Sequence, residues 1–392
     1  MNYILFDGDV RDALLPFTYT RPVADIRIGI LTIREKWEKR LGLTTTTLTE
    51  EYLEEKYPMV EMEVNIMINA SFLPTDPLVL LIKKLRINQA VFFGDKVVAF
   101  FATNSQEVKN LDDYEHITFN EELVQVKNTY DIFSLNDAAI KQDFDFLTKG
   151  RKSATISDSV NCVDRKNIFI EEGAVVNFSS LNASTGPIYI GKDSLIMEAC
   201  AIRGPFALCE NAVLKMGAKI YGATTIGPHS TVGGEVKNAV IFGYSNKGHE
   251  GYLGNSVIGE WCNLGADTNS SNLKNNYSEV KLWNYESGRF AKTGLQFCGL
   301  IMADHSKCGI NTMFNTGTVV GVSANIYGSG YQRNFIPSFA IGGTGGFKTY
   351  QMNTVVEVAT SVMSRKDIQY DKIENSILTC VFENTEKYRN FK

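Results

Sequence analysis

The stretch IGKDSLIMEACAIRGPFALCENAVLKMGAKIYGATTIGPHSTV, residues 190–232, decides the fold. Ile190, Ile196, Ile202, Leu208, Leu214, Ile220, Ile226 and Val232 recur at every sixth position without a slip. Four residues after each stands Ser194, Cys200, Phe206, Ala212, Ala218, Thr224, Ser230 or Val236, a mostly small set with Phe206 as the bulky exception. An α-helix would repeat its apolar residues at spacings of three and four. A period of six instead builds short strands joined by turns. The aliphatic column fills the interior of a solenoid, the small column packs where the chain bends, and successive coils extend parallel sheets.

Working outward, the same phase appears at Ile170 and Val176 with Ala174 and Ser180, before an insertion around 182–187 shifts the register by two. Leu253-Gly254, Ile258-Gly259 and Leu264-Gly265 restate the aliphatic-glycine opening, and Ile310, Thr316 and Val322 with Phe314, Val320 and Ile326 resume the period. The pattern predicts a solenoid over about 165–345, interrupted near 239–252 and 269–294. Interruptions of a solenoid lie on its outside, where binding groups collect.

The first 150 residues carry a different pattern. Tyr3-Ile4-Leu5-Phe6 and 64–68 read as buried strands, and Val91-Phe92-Phe93 with 97–101 as a hairpin across Gly94-Asp95. Ile26, Ile30, Ile33 and Trp37 mark one helix face, and Leu78, Leu81, Ile82 and Leu85 another. This is an α/β pattern. A helical link over 135–146 leads to a boundary at Lys149-Gly150-Arg151-Lys152. The division is 1–150, α/β; 151–350, solenoid; and 351–392, a helical extension whose segments 355–363 and 373–381 are placed to cap the open sheet end.

A chain of 392 residues with a net charge of -5 and no basic run offers no electrostatic footprint for nucleic acid or an anionic membrane, so small metabolites are the expected partners. No apolar run approaches a membrane span of about 18 residues, and no basic segment precedes an apolar core at the N-terminus. The expectation is a cytoplasmic protein. Seven cysteines without CxxC spacing read as reduced thiols rather than a disulfide framework or zinc site.

Histidine is scarce. His249, in a glycine-rich segment off the six-residue register, is a candidate general base, because an imidazole titrates near neutral pH. A solvated loop histidine is the alternative, and the residues alone leave both open. His305, in Ala303-Asp304-His305-Ser306-Lys307, is a secondary candidate, and His229 reads as structural or surface. Lys215, Lys219 and Lys237 fall outside the inward columns and are suited to an anion such as a sugar phosphate. In the first domain Gly8 follows a strand, with Arg11 and Arg21 as cations for phosphates.

The order of the domains, together with Glu235-Val236-Lys237-Asn238-Ala239, Gly248-His249, Tyr252-Leu253-Gly254 and Ile258-Gly259 followed by Cys262-Asn263-Leu264-Gly265-Ala266, resembles the bifunctional GlmU family. Thr20-Arg21-Pro22 and 304–311 look like the divergent branch of that family found in Bacteroidetes. The resemblance implies a sugar nucleotidyltransferase-like first domain and a left-handed parallel β-helix. It implies acetyl transfer from acetyl-CoA to glucosamine 1-phosphate and uridylyl transfer from UTP, giving UDP-N-acetylglucosamine. On that likeness His249 is the acetyl-transfer base, Lys237, Tyr252, Asn263 and Lys219 hold the sugar phosphate, and Ala266 lines the acetyl-CoA channel. A homotrimer with sites between subunits is likewise implied.

The first domain departs from the family pattern. Its phosphate loop is reduced to Leu5-Phe6-Asp7-Gly8-Asp9-Val10-Arg11, and neutral Asn69 stands where a magnesium-binding aspartate follows the central strand. Gly8, Arg11, Arg21 and Asn69 remain the nucleotide-binding candidates, and Asp7 and Asp9 the carboxylates available to Mg²⁺. The alternative function is a single-activity sugar-1-phosphate nucleotidyltransferase whose β-helix serves assembly or regulation.

Overall fold

A computed structural model describes residues 2–103 and 111–391. Its contacts divide the chain into two units, the first comprising Met1–Leu14, Thr18–Ile26 and Leu31–Asn128, the second Leu15–Phe17, Arg27–Ile30 and Thr129–Lys392.

The first unit is built on a six-stranded mixed sheet ordered Thr46–Leu48, Asn2–Phe6, Val64–Asn69, Lys96–Thr103, Gln89–Phe93, Glu115–Thr118. The first three strands are parallel, and the hairpin formed by Gln89–Phe93 and Lys96–Thr103 runs antiparallel to Val64–Asn69. The expected helix face at 26–37 is only half helical. The helix spans Ile33–Leu41, opened by a capping box in which Thr32 and Glu35 satisfy each other's backbone N–H groups. Ile26, in extended chain, and Ile30, in a turn, are buried ahead of it, because Thr32 fixes the helix start. Trp37 fills the unit's core and donates its indole N–H to the Phe72 carbonyl at 3.0 Å.

The second unit is a parallel β-solenoid whose coils run through three sheets, of nine, ten and eight described strands, the last of the ten, Gly346–Thr349, closing its sheet as an antiparallel hairpin with Ala340–Gly343. We call these the first, second and third faces. Ile190, Leu208 and Ile226 stack on the first face at steps of 18 residues, and Ile196, Leu214 and Val232 on the second. These side chains are almost completely buried and form one continuous interior. Each contributes roughly 1.5–3 kcal/mol by leaving water. The register shift expected at 182–187 is present, since Ile170 pairs with Ile190 across 20 residues.

Two sequence assignments change. Val236, counted in the small column, stacks on Ile220 and Leu253 in the aliphatic one, because the coil shortens after Val232. Ile310, counted as aliphatic interior, is 70% exposed at a corner, and the inward residues there are Cys308, Phe314, Val320 and Ile326. The interruption at 239–252 is no external loop but two short coils: Ile226 stacks on Ile241 after 15 residues and Ile241 on Ile258 after 17. The second interruption is a true excursion carrying an antiparallel hairpin, Lys281–Asn284 with Arg289–Lys292.

The expected link helix is Asn136–Thr148, and it packs within the second unit. Buried Asn136 accepts from Gly29 N at 2.7 Å and donates to the Ala223 carbonyl at 3.0 Å, while Asp143 accepts from Ile30 N at 2.8 Å. The terminal helices run Met352–Ser364 and Lys372–Asn384, the second placing Phe382 against Phe339 of the final coils. None of the described helices is long and apolar enough to cross a membrane.

The shortened coil places a lysine where the interior column requires an aliphatic residue. Lys247 pairs with Val232 on the second face and is 3% exposed. Its Nζ donates to the carbonyls of Gly233 at 2.9 Å and His249 at 3.0 Å. Burial lowers its pKa to about 8 from 10.5, with Glu250 opposing. The folded chain therefore binds fewer protons than the unfolded chain between those values, and stability rises with pH across that window. The shift corresponds to about 3 kcal/mol that Lys247→Met should remove. Urea denaturation at pH 7.5 and pH 10 should show the wild type gaining stability relative to Lys247→Met as pH rises; parallel profiles would refute the assignment.

Candidate functional site

The third face carries most of the predicted site. Its outward residues form two rows, Lys219, Glu235 and Tyr252 in one register and Tyr221, Lys237 and Gly254 in the next. Tyr221 donates its hydroxyl to Glu235 Oε1 at 2.5 Å, which with burial pushes its pKa up. Lys237 Nζ lies 5.8 Å from the centroid of the Tyr221 ring and 5.6 Å from that of Phe297, so two aromatic faces hold the ammonium without neutralising it. Lys219 bridges Glu250 at 3.2 Å on the surface and lines, with Arg203 and Tyr221, a cavity of about 300 Å³ on the same face.

Tyr252 lies flat along its strand. A Cβ at position 254 would stand 2.3 Å from the Tyr252 hydroxyl, so Gly254 is what gives the phenol its place. Asn272 donates to that hydroxyl at 3.0 Å and to Asn255 Oδ1 at 2.7 Å. Asn272 is a site residue the sequence reading missed. It opens the excursion after the third face, where no periodicity marks it.

His249 sits at the corner between the second and third faces, between strands Asn246–Lys247 and Tyr252–Gly254, and is exposed. Its ring makes no hydrogen bond among the described residues, whereas its carbonyl is held by Lys247. Ala266 occupies the same corner one coil on, where Asp267 N donates to the Glu250 carbonyl at 2.9 Å. His249, Lys219, Lys237, Tyr252 and Ala266 are thus carried by one face and its leading corner. Asn263 is not with them. It lies on the second face, accepting from Asn246 Nδ2 at 2.9 Å and paired in register with Lys307. His305 is at the opposite corner of that face, 7% exposed and stacked toward Trp261.

Cations on the excursion and the late coils were also missed. Lys274, Lys281 and Arg333 line, with Phe290 and Phe335, a cavity of about 680 Å³ between the hairpin and the late coils. The interruption of the repeat pointed to this region but not to these residues.

In the first unit, Gly8 and Asn69 are adjacent, a Cβ on the glycine falling 3.1 Å from Asn69 Nδ2. Asn69 Oδ1 accepts from the Ser71 N–H and hydroxyl, at 3.0 and 2.7 Å. Arg21 is buried, 4% exposed. Asp7 is committed inward: it accepts from Val23 N at 2.7 Å, Thr49 Oγ1 at 2.6 Å and Arg11 Nη1 at 2.6 Å. Arg11 in turn donates to Asp7, the Thr18 carbonyl and Tyr52, so the pair braces the loop. Asp9 forms a surface bridge with Lys96 at 2.6 Å. Asp7 is thus engaged within the loop, Asp9 at the surface and Asn69 with Ser71. Among the described residues no group of three His, Cys, Asp or Glu is placed to hold a metal ion, and the seven cysteines form no disulfide.

Residues 3–152 match the sugar nucleotidyl transferase family. The chain is 37% identical over 93 residues to a bifunctional sugar-1-phosphate nucleotidylyltransferase/acetyltransferase of Sulfurisphaera tokodaii, covering 24% of this chain and 23% of the relative. It is 38% identical over 87 residues to the bifunctional protein GlmU of Methanocaldococcus jannaschii, covering 22% and 21%. Against the GlmU of Trichodesmium erythraeum the identity is 26% over 221 residues, covering 51% of this chain and 41% of the relative. The matched stretches thus span less than half of each relative. The chain joins a sugar nucleotidyl transferase domain to a parallel β-solenoid and is similar to the bifunctional GlmU proteins.

Proposed function

We propose that the chain is a bifunctional transferase of sugar-nucleotide synthesis, acetylating glucosamine 1-phosphate with acetyl-CoA at the third face and transferring uridylyl from UTP in the first domain. The observation that carries the acetyl-transfer half is the accessible His249 at the corner leading into Tyr252, Lys237 and Asn272. An amine attacks a thioester only as the free base. His249 removes its proton as the nitrogen–carbon bond forms and the thiolate of coenzyme A departs. Lys237, held between Tyr221 and Phe297, receives the sugar phosphate, with Lys219 adding charge on the same face. Tyr252 and Asn272 fix the sugar hydroxyls.

Asn263 and the exposed apolar side chains support a trimer. Asn263 faces away from His249 on its own chain, so it reaches the sugar when a second copy brings its second face against this third face. Phe178, Met216 and Ile310, 68%, 62% and 70% exposed, line the corner that carries His249 and suit such a contact. For the uridylyl half, Gly8 and Asn69 provide the close backbone approach beside the first strand. Mg²⁺ would neutralise the phosphates of UTP, and Asp9, exposed after the first strand, is the candidate carboxylate to hold it.

Two measurements test the reading. Purified chain given glucosamine 1-phosphate, acetyl-CoA and UTP, each withheld in turn, should release thiol and then pyrophosphate. His249→Ala should lower the acetylation kcat by about 100-fold or more and leave pyrophosphate release from UTP with N-acetylglucosamine 1-phosphate unchanged. Wild-type acetylation by that variant removes the base, and pyrophosphate without thiol release from any amino-sugar phosphate leaves the single-activity alternative. Gly254→Ala should raise KM for glucosamine 1-phosphate roughly tenfold with kcat less affected, since the new methyl displaces the Tyr252 hydroxyl. An unchanged KM would detach Tyr252 from the sugar.

A further inference from the structure

The coil that carries His249 is stacked on one whose corner between the second and third faces is cut short. Four residues, 215–218, turn this corner from Leu214 to Lys219, and four, 265–268, turn it from Leu264 to Asn269. Between Val232 and Glu235 there are only two, Gly233 and Gly234, whereas 248–251 again number four between Lys247 and Tyr252. Corners of unequal length cannot repeat the same coil-to-coil contacts.

The mismatch first empties the interior. Ala218 and Thr268 are buried inside their corners. Gly234 and Gly251, which precede the third-face strand in the two coils between, have no side chain to place there, and neither position has room for one. A Cβ on Gly234 would lie 2.8 Å from the His249 carbonyl oxygen and 2.9 Å from Lys247 Nζ, and one on Gly251 would lie 2.1 Å from the Thr268 carbonyl oxygen. The Lys247 side chain runs from the aliphatic column into this space.

The mismatch also displaces a hydrogen bond. At a regular corner of this edge, the amide three residues past the aliphatic column bonds the carbonyl two residues past it in the coil before. Gly217 N donates to the Glu198 carbonyl at 3.0 Å in this way, and Asn311 N to the Ala266 carbonyl at 2.8 Å. The same pattern would join Asp267 N to the His249 carbonyl. Asp267 N instead donates to the Glu250 carbonyl at 2.9 Å, one residue on, so the His249 carbonyl loses the partner that coil stacking supplies. Lys247 Nζ takes that place at 3.0 Å. Its second bond, to the Gly233 carbonyl at 2.9 Å, ties the His249 turn to the shortened turn beside it. An aliphatic residue would fill the column at less desolvation cost but would leave the carbonyl untied.

We infer, on the reading that His249 is the acetyl-transfer base, that Lys247 is its positioning residue: Lys247 Nζ replaces the missing coil-to-coil hydrogen bond and fixes the main chain from which the imidazole projects. The His249 ring makes no hydrogen bond among the described residues, so its aim is set through its backbone. A reacting group displaced by about 1 Å can lose on the order of 100-fold in rate. Lysine at this position therefore lowers stability and raises rate, since an apolar residue would pack better and aim worse.

Lys247→Met in the full-length chain separates this role from packing, because the variant should be the more stable protein and the poorer acetyltransferase. Hydrogen exchange reads the tether without any activity. The amides of Tyr252 and Asp267, hydrogen bonded at this corner, should exchange about tenfold or more faster in Lys247→Met, while those of Leu195 and Ala201 keep wild-type rates and show that the solenoid is folded. The acetylation kcat should fall about tenfold or more, with KM for glucosamine 1-phosphate changed by less than about twofold. In a His249→Ala background the same substitution should cost less than about twofold, because residues that act as one unit are not additive. Unchanged exchange at Tyr252 and Asp267, a wild-type kcat, or an equal loss in both backgrounds overturns the proposal. Full acetylation by His249→Ala instead overturns the reading beneath it, and is told apart because it appears with Lys247 intact.

Discussion

A coil of this solenoid is stable only if each inward side chain meets an inward side chain in the coils before and after it. Parallel strands two or three residues long bury too little to hold by themselves, so the continuous column from Ile168 to Ile336 makes the unit cohere. That requirement fixes the strand register, and the register fixes which residues point outward. Lys237 and Tyr252 are on the third face because Val236 and Leu253 must be inside. The positions available for chemistry are set by packing before any substrate is considered.

The two short coils show how far the constraint can be bent. Removing residues between Ile226 and Ile258 keeps the first face aligned, since Ile226, Ile241 and Ile258 still stack. The deficit falls on the second face and its corners, where Lys247 enters the aliphatic column. A buried amine is unfavourable there, and two backbone carbonyls compensate for it. One of them belongs to His249. The shortening that places an unusual residue inside therefore also fixes the backbone of the residue outside, and the local cost of packing is linked to the position of the candidate base.

The architecture was legible because its signal is one-dimensional: an aliphatic residue every six positions from Ile190 to Val232 requires no knowledge of distant contacts. The reading failed where the period shifts, at Val236 and Ile310, since a slip of two residues moves Val236 from the small column to the aliphatic one and Ile310 from the interior to a corner without changing composition. His249 was found because it stands off the register. Asn272 and Lys281 were not, because the excursion has no period to depart from. In the first unit the residue types were visible, but their commitments were not. Asp7 and Arg11 look available in sequence and are bound to each other in the fold.

Asn263 shows how the fold separates residues that lie near one another in sequence. Successive strands of one coil lie on different faces, so residues a few positions apart in sequence, such as Tyr252 and Asn263, are directed away from each other on a single chain. Convergence of such a set requires a second solenoid laid beside the first, third face to second face. The corner between those faces is the edge around which such a contact forms, and it carries His249, Ala266 and the exposed Phe178, Met216 and Ile310. These three exposed apolar side chains stand on that corner at separate coils, with Glu198, Gly233, Glu250 and Asp267 on the coils between them.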